Sequence, residues 1–463
     1  MKRLKNYFFY IVVILVIVNL YQSFGILNNT IIIEFVFSLA LLIITFYIYY
    51  KKFSFPLFPL YHFLLFLVYV FPVIYFNYLK NTWAFNTTAL KNIYSENLAV
   101  QVILIFIFMQ IISLIQVTFT KKMKCKPSKM SYKLKKNSAI IMIVFILIFV
   151  SMQMLVKVDN LPLIARQLFL LIRQLLYIPI GILLFQYLNN KNKNARNVLM
   201  ISLLIYLILL ITKAAAAPFA ELALFIVIII YHKGMKIHWS IYFAGISFIA
   251  FIMDFKMSIR VLYHNSNNSS LYEKIIEISH LFIHTINSSS DLWLASLNFL
   301  LIRAQMLSTF MIVVGNTPSV IKYWKFSQLQ DLFWGFIPRF VYPFKPILNE
   351  GQNFGHAYSI IGANDFVTAI NIPSLVGFYM AFGLSSLIVG IIIFNFIMLK
   401  IAKIAKGAYY DEPMIITLAY FSLNFIHNID TGYTGIGTLF YKTLIFYFVA
   451  RFLYKKLLIK VSR

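Results

Sequence analysis

At 463 residues, 61% hydrophobic and only 12% charged, with a mean hydropathy of +0.82, the chain carries more apolar mass than a soluble core of that length can hide, which excludes a soluble globular protein. The formal net charge of +27 raises the question of nucleic-acid binding. The lysines answer it by lying in short runs between apolar segments rather than on one basic domain.

The apolar runs are about twenty residues long, the length a helix needs to cross ~30 Å of hydrocarbon at 1.5 Å per residue. The ~10-residue alternation of a membrane β-barrel is absent. The chain therefore reads as an all-α, polytopic membrane protein. Lys2, Arg3 and Lys5 precede an apolar run to Leu27 that is too long for a signal-peptide core and lacks a small-residue cleavage site. It reads as a retained first span.

Hydropathy predicts spans at 7–27, 31–50, 55–79, 98–120, 138–156, 163–188, 198–212, 215–231, 239–258, 374–399, 413–430 and 434–453;. Twelve spans put both ends on one side. Alternate connections then hold Lys2/Arg3/Lys5, Lys51/Lys52, eight lysines from Lys121 to Lys136, Lys191/Lys193/Arg196, Lys233/Lys236, Lys400/Lys403/Lys406 and the tail from Arg451. That is 26 of 41 basic residues, against Asp411 and Glu412 as the acids of the same set, so this side is cytoplasmic by the positive-inside rule. Three regions follow: nine spans over 1–258, a loop of about 114 residues over 259–372 on the outer face, and three spans with a basic tail over 373–463. The single Cys125 excludes an internal disulfide, and no zinc pattern, metal site or cofactor motif is present;.

A loop of that length is functional more often than idle. Leu271–Ile286 reads as an amphipathic helix carrying Glu273, Glu277, His280 and His284 on one face, a solvated face rather than a metal site;. Asp291–Val314 is almost a span, interrupted by Asn298, Arg303 and Gln305, and reads as a helix in the interface or packed over the bundle;. Within the sixth span Arg166 and Arg173 lie seven apart, on one face two turns apart;. They either pair with intramembrane acids such as Glu34, Glu221 or Asp254 or line a diphosphate path.

Downstream, Trp334 to Pro346 (WGFIPRFVYPFKP) holds three prolines in nine residues, which forbids a regular helix and stiffens the backbone around Arg339 and Lys345;. Interleaved aromatics suit headgroup depth. A guanidinium can fork onto two phosphate oxygens and an ammonium can add a point charge, so the pair fits a lipid diphosphate; alternatively each anchors the loop to anionic headgroups. The following Asn349 to His356 supplies small hydrogen-bonding groups suited to sugar hydroxyls;.

Ile337 to Pro346 resembles the P-R-x-x-x-P-x-K-P signature of Wzy-type oligosaccharide repeat-unit (O-antigen) polymerases. Gly351 to Tyr358 is similar to that family's G-x-x-F-G-x-x-Y stretch, and Thr368–Pro373 with Phe378-Tyr379 and Phe382-Gly383 looks like its re-entry into the next span. The match covers about fifty residues, Trp334 to Gly383. It departs from the pattern at Phe344 and Gly377, where acids are common, and at Thr212-Lys213-Ala214, where a G-x-R turn is common.

The resemblance implies glycosyl transfer on the periplasmic face, moving a growing glycan from undecaprenyl diphosphate to a new lipid-linked repeat unit, with no cofactor. The implied partners are undecaprenyl diphosphate-linked oligosaccharides, membrane lipid and a chain-length regulator protein. In this reading Arg339 and Lys345 stabilise the leaving group. Arg303, Arg260 and Lys213 hold the second diphosphate, with Arg166 and Arg173 along its path. Asn349, Gln352 and Tyr358 contact sugar. His356 is the favoured base, with Glu350 and Asp365 as rivals. An O-antigen ligase, or a flippase for lipid-linked glycans, is the alternative.

Overall fold

The structure is a computed structural model that describes residues 29–75, 95–121, 130–135, 138–155, 161–212, 216–235, 306–325, 327–339, 341–346, 349–366, 368–408, 411–427 and 433–462. The predicted spans 7–27 and 239–258 and the helix 271–286 lie outside these residues, as do Lys213, Arg260 and Arg303.

The first described helices are α1 (Asn29–Lys52), α2 (Leu57–Leu65) and α3 (Glu96–Phe119). After them come α4 (Ser138–Leu155), α5 (Leu163–Gln174), α6 (Tyr177–Asn190), α7 (Lys193–Thr212) and α8 (Ala216–His232). The later part gives α9 (Leu307–Asn316), α10 (Ser327–Phe336), α11 (Glu350–Ala357), α12 (Ser374–Phe382), α13 (Leu384–Gly407), α14 (Glu412–His427) and α15 (Tyr433–Leu457). Five stretches are long and apolar enough to cross a membrane: Thr30–Lys52, Leu57–Ile74, Glu96–Phe119, Leu384–Gly407 and Gly435–Leu457.

The helical reading of the sequence is met, with one addition. Strand β1 (Met130–Leu134) pairs antiparallel with β2 (Leu458–Ser462), Met130 opposite Ser462 and Leu134 opposite Leu458. Both are five-residue stretches too short to disturb a hydropathy profile tuned to spans.

Two expected spans are broken, each at an identifiable residue. The 163–188 run divides between α5 and α6 because Pro179 cannot donate to the carbonyl four residues back and its ring crowds that carbonyl, at Leu175;. Tight bonds from Leu175 N to Ile172 O and from Ile178 N to Leu175 O replace the helical ladder there. The 374–399 run divides at Gly383, whose φ of +67° only glycine adopts readily, and a Cβ there would lie 2.7 Å from the Tyr323 hydroxyl;. The helix long and apolar enough to cross is therefore α13. The 55–79 run stays helical after α2 but changes type, Phe66–Val70 being π-helical and Phe71–Tyr75 3-10. Pro72 leaves the Val68 carbonyl without its helical donor, and the Met306 backbone N–H fills that place at 2.8 Å;.

Two groups of helices make the core. In one, α3 packs on α1, α9 and α13, with α12 and α2 against α13. Buried polar groups pin it: His62 Nε2 bonds Asn395 Oδ1 (2.9 Å), and Asn395 Nδ2 donates to Ser113 Oγ (2.9 Å) and Gln116 Oε1 (2.7 Å);. In the other, α14 packs on α6, α8 and α15, and α7 on α4 and α6. Phe425 of α14 joins the two, with ring centroids 5.5 Å from Tyr61 and 5.2 Å from Phe394.

Candidate functional site

Helix α10 lies along α15 at backbone contact. A Cβ on Gly437 would meet Leu332 O at 2.5 Å and Gly335 Cα at 2.7 Å, so only glycine permits the approach. Phe336 and Phe440 pack beside it, centroids 5.3 Å apart. The proline-framed loop leaves this fixed end, and Tyr342 folds back to stack on Trp334 at 6.0 Å.

Inside the loop the two cations brace the backbone. The Arg339 guanidinium donates to Lys345 O (2.6 Å) and Pro346 O (2.8 Å), and Lys345 Nζ donates to Ile337 O (3.2 Å). Lys345 is buried at 7% exposure, whereas Phe344 beside it is 86% exposed. Burial holds the Lys345 ammonium below the ordinary lysine range, and the neighbouring Arg339 lowers it further;. The cations thus sit in one small frame, rimmed by the exposed Val341, Tyr342 and Phe344.

The glycine-rich segment after the loop is helix α11, and its glycines serve packing. A Cβ on Gly351 would lie 2.6 Å from Ile370 O. Of the expected sugar contacts, Asn349 is exposed at the start of α11, and Gln352 Nε2 donates to Phe366 O. Tyr358 is buried against Phe354 and shares a hydrogen bond with Thr317 (2.6 Å); burial raises its phenol to about 12.

Of the expected bases, Asp365 Oδ1 accepts from the Thr368 N–H (2.8 Å) and closes a local turn. Glu350 is half-buried in the first turn of α11. His356 lies beside Phe366, centroids 5.7 Å apart, with Nε2 buried and lacking a hydrogen-bond partner among the described residues.

Arg166 and Arg173 share the short helix α5, and Arg166 is exposed. Glu221, one of the acids expected to pair with them, has two described neighbours. Its Oε1 stands 3.7 Å from His427 Nδ1 and its Oε2 accepts from the Tyr177 hydroxyl (3.2 Å). These three side chains line a cavity of ≈ 270 Å³ with Gln174, Asn424 and Lys442, between α5–α8, α14 and α15. A lone acid at Glu221 in an apolar run was the available sequence signal; His427, 206 positions later, offered none. Among the described residues no group of three metal-ligating side chains occurs. Compared with protein families, curated proteins and solved structures, the chain matches none.

Proposed function

We propose that this chain is a polymerase of lipid-linked oligosaccharide repeat units in the bacterial cytoplasmic membrane. In this reading twelve spans leave both ends in the cytoplasm and the 259–372 loop in the periplasm. That the lysine-bearing ends share one side is supported by contacts among them. Lys52 Nζ donates to Val117 O, Thr118 O and Thr120 O, Lys406 Nζ donates to Lys52 O, and Asn189 Nδ2 donates to Glu412 Oε1. All these residues fall at the side given to the cytoplasm, as do β1 and β2.

The observation that carries the reaction is the braced loop. Two cations held together repel, and an arriving diphosphate relieves that repulsion while its charge grows on departure. Tyr342 and Phe344 are exposed, and aromatic side chains of this kind suit headgroup depth, where a polyprenyl diphosphate lies. The acceptor hydroxyl oxygen bonds to the anomeric carbon of the growing glycan, the carbon–oxygen bond to the diphosphate breaks, and the electron pair leaves with the lipid diphosphate.

A flippase for the same lipids is the second reading, favoured by the polar cavity between helices;. Deleting the gene and separating surface glycan on a gel distinguishes these readings. A polymerase leaves glycan capped by one repeat unit, a flippase or ligase leaves none, and an unaltered ladder overturns all three.

A further inference from the structure

We propose that the cavity between α5–α8, α14 and α15 seats the terminal sugar of the acceptor, and that His427, oriented by Glu221, takes the proton from its attacking hydroxyl. This rests on the glycan-transfer reading above.

The cavity has the chemistry of a sugar site. Gln174 and Asn424 offer amides and Tyr177 a phenol, groups that both donate and accept, as hydroxyls require;. At ≈ 270 Å³ the space lies just below the ~300–1,000 Å³ usual for ligand pockets, enough for one sugar unit and too small for a long glycan;.

Within it, Glu221 and His427 form an oriented pair. Tyr177 fixes one carboxylate oxygen and the other faces Nδ1 of the imidazole at 3.7 Å. At 3.7 Å the carboxylate is in ion-pair rather than hydrogen-bond range, and its charge favours the proton on Nδ1, which leaves Nε2 to accept one;. The ring is 47% exposed and the carboxylate 22%, so the imidazole is the accessible member. His356 has a buried Nε2 and a phenylalanine neighbour instead.

Helix α15 links this pocket to the cationic loop. Thr438, Leu439 and Lys442 line the cavity, while Gly437 and Phe440 hold α10, from whose end the loop departs. The pocket and the loop therefore share one supporting helix. In the step, the hydroxyl proton passes to His427 Nε2 as its oxygen bonds to the anomeric carbon. The departing pair goes to the diphosphate, and the imidazolium then releases its proton to water.

The test uses the full-length protein in liposomes, with lipid-linked single-repeat glycan extracted from the deletion strain as both donor and acceptor. His427→Ala is expected to lower kcat by ~100-fold or more, the usual contribution of a general base, with KM within about threefold by the same reasoning. Glu221→Gln is expected to lower kcat by ~10-fold or more, with Glu221→Asp recovering most of it. Thr438→Trp fills the cavity while leaving both members of the pair in the sequence and is expected to raise KM. His427→Gln, which keeps hydrogen bonding without basicity, stands in for an Ala variant that fails to accumulate. Normal turnover by either His427 variant, or an unchanged KM for Thr438→Trp, overturns the inference and leaves the polymerase reading intact. An unaltered ladder in the deletion strain removes both.

Discussion

The Arg339 guanidinium donates to the carbonyl oxygen of Lys345 at 2.6 Å, and the Lys345 ammonium reaches back to Ile337 O at 3.2 Å. Each cation thus depends on the other's stretch of backbone. Removing either one opens the frame as well as removing a charge.

Arg339→Ala is therefore expected to abolish elongation and to expose residues 337–346 to protease, at a local cost of ~1.5–3 kcal/mol per lost charge-assisted bond. Arg339→Lys is expected to fail as well, because an ammonium on a flexible stem does not reproduce a fork held on two carbonyls. A glycan ladder and limited proteolysis, read side by side, check both. A normal ladder from the alanine variant removes Arg339 from the mechanism.

Gly437→Leu is expected to push α10 off α15, since even a Cβ there meets Leu332 O at 2.5 Å. Overpacking of this kind costs ~1–3 kcal/mol, read as a lower thermal midpoint of the purified protein. An unchanged midpoint means that α10 packs elsewhere.

Pro72→Ala restores an N–H within reach of the Val68 carbonyl and so competes with Met306. Stability is expected to move by no more than ~1 kcal/mol, one neutral hydrogen bond replacing another. Hydrogen exchange at the Met306 amide is expected to accelerate. Unchanged exchange there contradicts the bond.

Glu412 sets a pH dependence. It stands one residue before the expected span, where burial raises its carboxyl to about 7, against the lowering influence of Lys233 and the Asn189 hydrogen bond. The folded state thus binds this proton more tightly than the unfolded chain, whose carboxyl titrates near 4.5. Stability is fully present below about 4.5 and is lost as pH rises to about 7;. Glu412→Gln is expected to flatten that slope in thermal scans between those values. A wild-type midpoint that rises over the same window contradicts the assignment.

Much of the helical scaffold was legible because apolar length is a local property. The expected spans 31–50, 98–120 and 434–453 fall on α1, α3 and α15. The breaks at Pro179 and Gly383 were visible as residues, yet their effect depends on backbone geometry that hydropathy averages away. The cationic loop was legible from its prolines, but the destination of its side chains was not: Arg339 and Lys345 serve carbonyls of their own loop. Glu221 and His427 escaped because nothing local to either names the other. Long-range pairs become readable only once helices are packed.

The ribbon of β1 and β2 joins the lysine-rich connection after α3 to residues 458–462. The latter follow α15 directly. The connection therefore has no strand to pair with until α15 has been made. A chain cut before Leu458 would keep its long apolar helices and lose this late latch.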